Sequence, residues 1–104
     1  MRIFIINNFG HDFSQAQKLF DEEVTFINLT TGIINPFNTD RLLAVFEKKL
    51  KQFDFCYKKD YIIISGSPIL VGLFFMSLHK YVNYDRLNLL LYDMKQKRYK
   101  LREV

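Results

Sequence analysis

Four stretches of strand length carry much of the chain's aliphatic content: Arg2–Ile6, Val24–Leu29, Tyr61–Ser65 and Leu87–Tyr92. Three of them are nearly continuous in Ile, Leu and Phe instead of alternating with polar residues. Strands covered on both faces read this way, as in a parallel sheet flanked by helices. Helical signals fill the segments between. Ser14-Gln15-Ala16-Gln17 sets a Ser three residues before a Gln, the spacing of a capping box, and predicts a first helix running into Leu19-Phe20. Asn38-Thr39-Asp40 suits a helix start, after which Leu42, Phe46, Leu50 and Phe53 repeat along one face with Lys48, Lys49 and Lys51 around the other. Glu47 and Lys51 stand four apart in the favourable order. A third helix is predicted with Ser67 as N-cap and Pro68 at its first position.

Strand and helix thus alternate, which predicts an α/β fold: a mainly parallel four-stranded sheet with right-handed crossover helices, in a minimal Rossmann-like or flavodoxin-like arrangement. Beyond Tyr92 the pattern changes. Asp93–Lys97 reads as a turn, and Arg98–Arg102 alternates with period two, predicting one antiparallel C-terminal edge strand with an apolar and a basic face.

The stretch Tyr61–Leu78 holds eighteen residues without a charge, the length of a membrane span. Ser65-Gly66-Ser67-Pro68 divides it into a β-rich run and an apolar helix, each too short to span, so no membrane segment is expected. Ile69–Met76 is apolar around its whole circumference, where a surface helix would show a polar stripe. Leu70, Leu73, Phe74 and Phe75 are therefore expected at a contact with a second copy, in a homo-oligomer such as a dimer. The alternative is that the layers of the chain's own fold wrap this helix.

Length and composition narrow the classes. With 104 residues, 49% of them apolar, the chain builds one domain and one core, and 11 Phe with 6 Tyr exclude disorder. The only Cys, Cys56, excludes an intramolecular disulfide framework and a multi-cysteine zinc site, and fits a reducing, intracellular setting. The apolar start Ile3–Ile6 stops at Asn7-Asn8, too short for a signal-peptide core. Two isolated His and one distant Cys offer no metal-ligand spacing, and no motif names a cofactor.

Ligands of open parallel α/β sheets bind beyond the carboxyl ends of the strands, where the connections reverse direction. That rule selects Asn7, Asn8, Gly10, His11 and Asp12 after the first strand, Thr30, Thr31 and Gly32 after the second, Ser65, Gly66 and Ser67 after the third, and Asp93 after the fourth. A strand order 2-1-3-4 would bring the first and third sets together. Ser65-Gly66-Ser67-Pro68 combines a glycine, flanking hydroxyls and a helix start with unpaired N–H groups, a turn able to receive a phosphate or carboxylate. It has neither the G-x-G-x-x-G fingerprint nor a Walker lysine, and Ser67 capping the helix accounts for it equally well. His11 and Asp12 are the one plausible acid–base pair, although Asp12 can instead begin the first helix with His11 on the surface. Cys56 has no adjacent base and reads as a packed thiol, and His79 has no role. The Leu29–Phe37 connection is long and apolar-tipped, fit for a lid, a partner contact or a plug.

Charge adds one further constellation. Residues 1–52 are neutral, with six cations and six anions, while residues 53–104 supply the whole formal +4. Lys95, Lys97, Arg98, Lys100 and Arg102 crowd together around Tyr99. This fits nucleic-acid binding with Tyr99 stacking on a base. It fits better with cations that keep an exposed edge strand from pairing with other chains, because the alternation turns Tyr99 inward.

Asn8-Phe9-Gly10-His11-Asp12-Phe13-Ser14, Phe37-Asn38-Thr39-Asp40-Arg41-Leu42, Asp60-Tyr61-Ile62-Ile63-Ile64-Ser65-Gly66 and Arg86-Leu87-Asn88-Leu89-Leu90-Leu91-Tyr92 resemble stretches of small proteins encoded by bacteriophages and related mobile elements. The resemblance runs over most of the chain. It implies a viral or episomal origin, hence a host cytoplasm as location, and brings no chemical role for any residue. The expected function is a non-enzymatic α/β binding protein, a viral host-modulating factor holding an anionic or nucleotide-like ligand at the strand ends. Nucleic-acid binding through the basic edge and protein docking through the third helix and the Ile33–Phe37 loop are the alternatives.

Overall fold

The chain's apolar runs pair side by side, and their order decides where the polar strand ends gather. The computed structural model describes residues 1–104. In chain order the elements are β1 (Arg2–Asn8), a 3-10 helix (Ser14–Leu19), β2 (Thr25–Thr31), α1 (Thr39–Gln52), β3 (Tyr61–Ile63), α2 (Pro68–Tyr81), β4 (Asn88–Asp93) and β5 (Arg98–Glu103). One five-stranded mixed sheet has the order β2-β1-β3-β4-β5. The pairs β1–β2, β1–β3 and β3–β4 are parallel, with Ile5 opposite both Asn28 and Ile63, and β4–β5 is antiparallel, with Leu90 opposite Leu101.

The near-continuous apolar run of β1 is explained by burial on both sides. Phe4 and Ile6 enter a core with Leu42, Phe46 and Leu50 of α1 and Leu70, Leu73, Phe74 and Leu78 of α2. Ile3 and Ile5 enter a smaller core with Phe13, Ala16, Val24, Ile63, Leu90 and Tyr99. One face of the sheet therefore carries two full helices, and the other only the short segment around the 3-10 helix.

That short segment corrects the expected first α-helix. The carboxylate of Asp12 takes the Ser14 N–H at 2.9 Å, and Ala16 N–H bonds Phe13 O, so the turn closes with tighter 3-10 spacing from Phe13. Gln17, which the capping-box spacing would send back to the helix start, reaches forward instead. Its amide donates to Glu22 O and accepts from Val24 N–H, each at 2.8 Å. Ser67 does occupy the N-cap position of α2 with Pro68 next, but its hydroxyl makes no capping bond.

The all-round apolar character of α2 has the second of the two explanations weighed above. Leu70, Leu73 and Phe74 are buried within the chain's own core, so they are not surface residues on which a second copy can dock. Phe75 is half-buried against the same core, leaving Ile69 and Met76 exposed. The β-rich half of the uncharged stretch shortens to Tyr61–Ile63, and no helix is long and apolar enough to cross a membrane. In the β2–α1 connection Ile34 packs down on the core while Ile33 and Phe37 stand 88% and 90% exposed, so the loop plugs with one residue and holds two apolar tips outward.

Candidate functional site

The sheet order reverses between β1 and β3, and their carboxyl ends are joined there by side chains. Asn7 N–H donates to the Ser65 hydroxyl oxygen at 3.2 Å, and that hydroxyl donates back to Asn7 O at 2.9 Å. Across to β2, the Asn7 side-chain amide donates to Gly32 O at 3.2 Å, and the Thr30 hydroxyl lies 2.7 Å from Ile6 O and 2.9 Å from the Asn7 amide oxygen. Asn7 and Thr30 are buried, and these bonds replace the water they give up. Asn8 is similarly engaged, donating to Asn28 and accepting from Gly10 N–H. Gly66 passes over this knot at φ +105°, and a Cβ there would lie 3.0 Å from the Asn7 Cβ. Both the backbone angle and the close approach require glycine.

With the centre closed, six of the selected strand-end residues line two clefts. The first, about 340 Å³, is lined by His11, Asp12, Phe13, Gln15, Ile63, Ile64, Ser65, Gly66, Tyr92 and Tyr99. It thus unites four of the residues selected from the sequence, His11, Asp12, Ser65 and Gly66, beside the start of α2. The second, about 440 Å³, holds Thr30 and Thr31 together with Asn38, Arg41 and the apolar Ile33 and Ile34. Asn7, Asn8 and Ser67 line neither cleft.

The electrostatics of the first cleft follow from its walls. Hydrogen bonds from Ser14 hold the Asp12 carboxyl below its ordinary range, so it stays ionised. Burial, reinforced by Tyr92 and Asp12, pushes the Tyr99 phenol above its ordinary value and keeps it a neutral donor. The Tyr92 and Tyr99 rings stand opposite each other across β4–β5, centroids 5.1 Å apart and tilted by 44°. The His11 ring meets the edge of Phe13 at 6.1 Å, while Asp12 accepts from Ser14. Those contacts turn the two residues to different partners, in line with the alternative in which Asp12 opens the helical turn and His11 lies at the surface. No three His, Cys, Asp or Glu side chains gather as a metal-binding group.

Tyr92 and Gln15 escape the sequence argument. Selecting residues after each strand passes over Tyr92, which still lies within β4, and only the pairing with Tyr99 shows that it faces the cleft. Arg41 is missed for a similar reason, since it sits in the first turn of α1 and not at a strand end.

On β5, Tyr99 is buried, and its inward turn removes it as an exposed stacking platform for a base. Lys100 pairs with Asp93 at 2.8 Å, whereas Lys95, Lys97, Arg98 and Arg102 are exposed with no carboxylate in ion-pair range.

No curated protein and no solved structure matches the chain significantly. A family model does match it over residues 3–104, nearly the full length, so the chain belongs to the phage Pam3 gp32-like protein family.

Proposed function

We propose that this phage protein is a non-enzymatic binding protein whose ligand is a nucleotide or a nucleotide-like anion, held in the His11–Tyr92–Tyr99 cleft. The observation that carries the reading is the cleft itself: a tyrosine pair, an ionised carboxylate and a glycine turn before a helix start converge at the carboxyl ends of the parallel strands. A planar base lies against Tyr92, its N–H edge toward Asp12, because that carboxylate accepts hydrogen bonds and repels phosphate. The anionic group lies by Ser65 and Gly66, at the turn that leads into α2. The Rossmann-like or flavodoxin-like description belongs to this proposal. The order β2-β1-β3-β4 and the reversal beside β1 support it, and the antiparallel β5 and the single 3-10 turn on one face are its departures.

Thermal-shift and calorimetric titration with mono- and dinucleotides test the reading. A bound nucleotide raises the melting temperature in proportion to the logarithm of its concentration. Tyr92→Ala and Asp12→Asn each weaken binding about tenfold or more, the loss of one stacking or charged hydrogen-bond partner, with the circular dichroism of the free protein unchanged. Failure of every nucleotide and sugar phosphate to stabilise the protein overturns the proposal.

A further inference from the structure

The two edges of the sheet differ in a way the fold alone does not require. β5, at one edge, carries Arg98, Lys100 and Arg102 along six residues. Antiparallel pairing of two copies through β5 about Lys100 would set Arg98 against Arg102 and Lys100 against itself, and like charges directly opposite repel. β2, at the other edge, has seven residues, Thr25–Thr31, without a charge, a proline or a glycine. It pairs only with β1, in an unshifted register from Arg2–Thr25 to Asn8–Thr31, so its outer backbone groups have no partner strand.

Charges return on either side of that neutral strand, and with opposite sign. Asp21, Glu22 and Glu23 precede it, all exposed and in no ion pair. Beyond its far end lies Arg41, also exposed and unpaired, in the cleft with Thr30 and Thr31. The loop between carries Ile33, 88% exposed. A strand that is neutral in the middle, acidic before and basic after complements a reversed copy of itself.

We propose that β2 pairs antiparallel with the β2 edge of a second copy of this chain, about a two-fold axis at Asn28, so that one sheet runs through both copies. Thr25 then faces the partner's Thr31, and Phe26 the partner's Thr30. The acidic run before β2 reaches the partner's Arg41 and covers the partner's Ile33. A two-fold axis repeats each of these contacts, which makes the surface self-complementary and closed to further addition. The interface lies on a different part of the molecule from the nucleotide cleft and does not depend on it.

Light scattering after size exclusion, on the full chain, is expected to give twice the chain mass. A monomer at every concentration overturns the proposal. Thr25→Lys combined with Thr31→Lys sets like charges opposite each other at two exposed positions, and raises the dissociation constant about tenfold or more with circular dichroism unchanged. Arg41→Glu weakens the dimer separately, and adding Glu23→Lys in the same chain recovers it. A dimer indifferent to the edge pair and to Arg41→Glu rests on another surface, and overturns the proposal as well.

Discussion

Asp60 is only 2% exposed, yet its carboxylate is fully engaged at the start of β3. Arg2 donates to it through Nε at 3.0 Å and through a terminal nitrogen at 2.6 Å, and Cys56 N–H adds a bond at 2.8 Å. The same guanidinium bonds Phe53 O and Asp54 O, fastening the loop after α1 to the first residue of β1. Asp60 also holds the Arg2 guanidinium above its ordinary pKa, chiefly through the direct hydrogen bonds. Asp60→Asn should therefore cost about 2 kcal/mol, a loss of charged hydrogen bonds moderated by the partial exposure of Arg2, measurable as a lower urea midpoint. Asp93 behaves differently because it sits at the surface turn. Lys100, then Gln96 and Lys95 N–H groups, pull its pKa from 3.8 to about 2. A carboxyl depressed in the folded state stabilises above its unfolded pKa, and that contribution disappears as pH falls from the ordinary value through about 2. Stability of the native chain should drop over that acid window more steeply than that of Asp93→Asn, as urea titrations at a series of pH values would record.

α1 and α2 meet through Phe46 and Phe74, fully buried and edge-to-face with centroids 5.7 Å apart. Phe74→Ala should cost about 3–5 kcal/mol from lost burial and the cavity left behind. Against a total of about 5–15 kcal/mol for a domain, that removes anywhere from about a fifth to all of the native stability. Phe74→Leu, which keeps most of the volume, should remain folded and lose about 1.5 kcal/mol or less in the same urea assay. Elements of this kind are legible in the sequence, since Leu42, Phe46 and Leu50 recur at helical spacing and the strands are dense runs bounded by polar residues. The antiparallel β5 is legible for the same reason, as its period of two is local. What escapes is decided by long-range bonds. Gln17 commits its amide to the chain entering β2, and this turns a capping-box spacing into a 3-10 turn. The apolar face of α2 has the composition of an oligomer contact, and only the packing of α1 and the sheet around it reveals an internal core. The strand-end rule selects His11, Asp12, Ser65 and Gly66, which do line one cleft, but it could not foresee that Asn7 and Thr30 would spend their polar groups on each other.

At the scale of the molecule the sheet is unevenly clothed. Two helices of 14 residues each cover one face, and a 3-10 helix of six covers part of the other. Segments with few buried groups and little internal bonding open with less free energy than the global transition. Amide hydrogen exchange should therefore be fast over residues 13–20 and approach the global limit in β1 and in the buried turns of α1, with mass spectrometry resolving the two. The cleft beside Tyr92 and Tyr99 has one wall of each kind: the Asn7–Ser65 knot with its glycine turn, and the thin segment bearing His11 and Asp12. If a nucleotide binds there as proposed, slackening of the thin wall would admit it while the knotted one keeps its shape. How fast such a ligand came and went and how well it fitted would then be assigned to opposite banks of the same hollow, and a change that stiffens residues 13–20 would slow the traffic without altering the template.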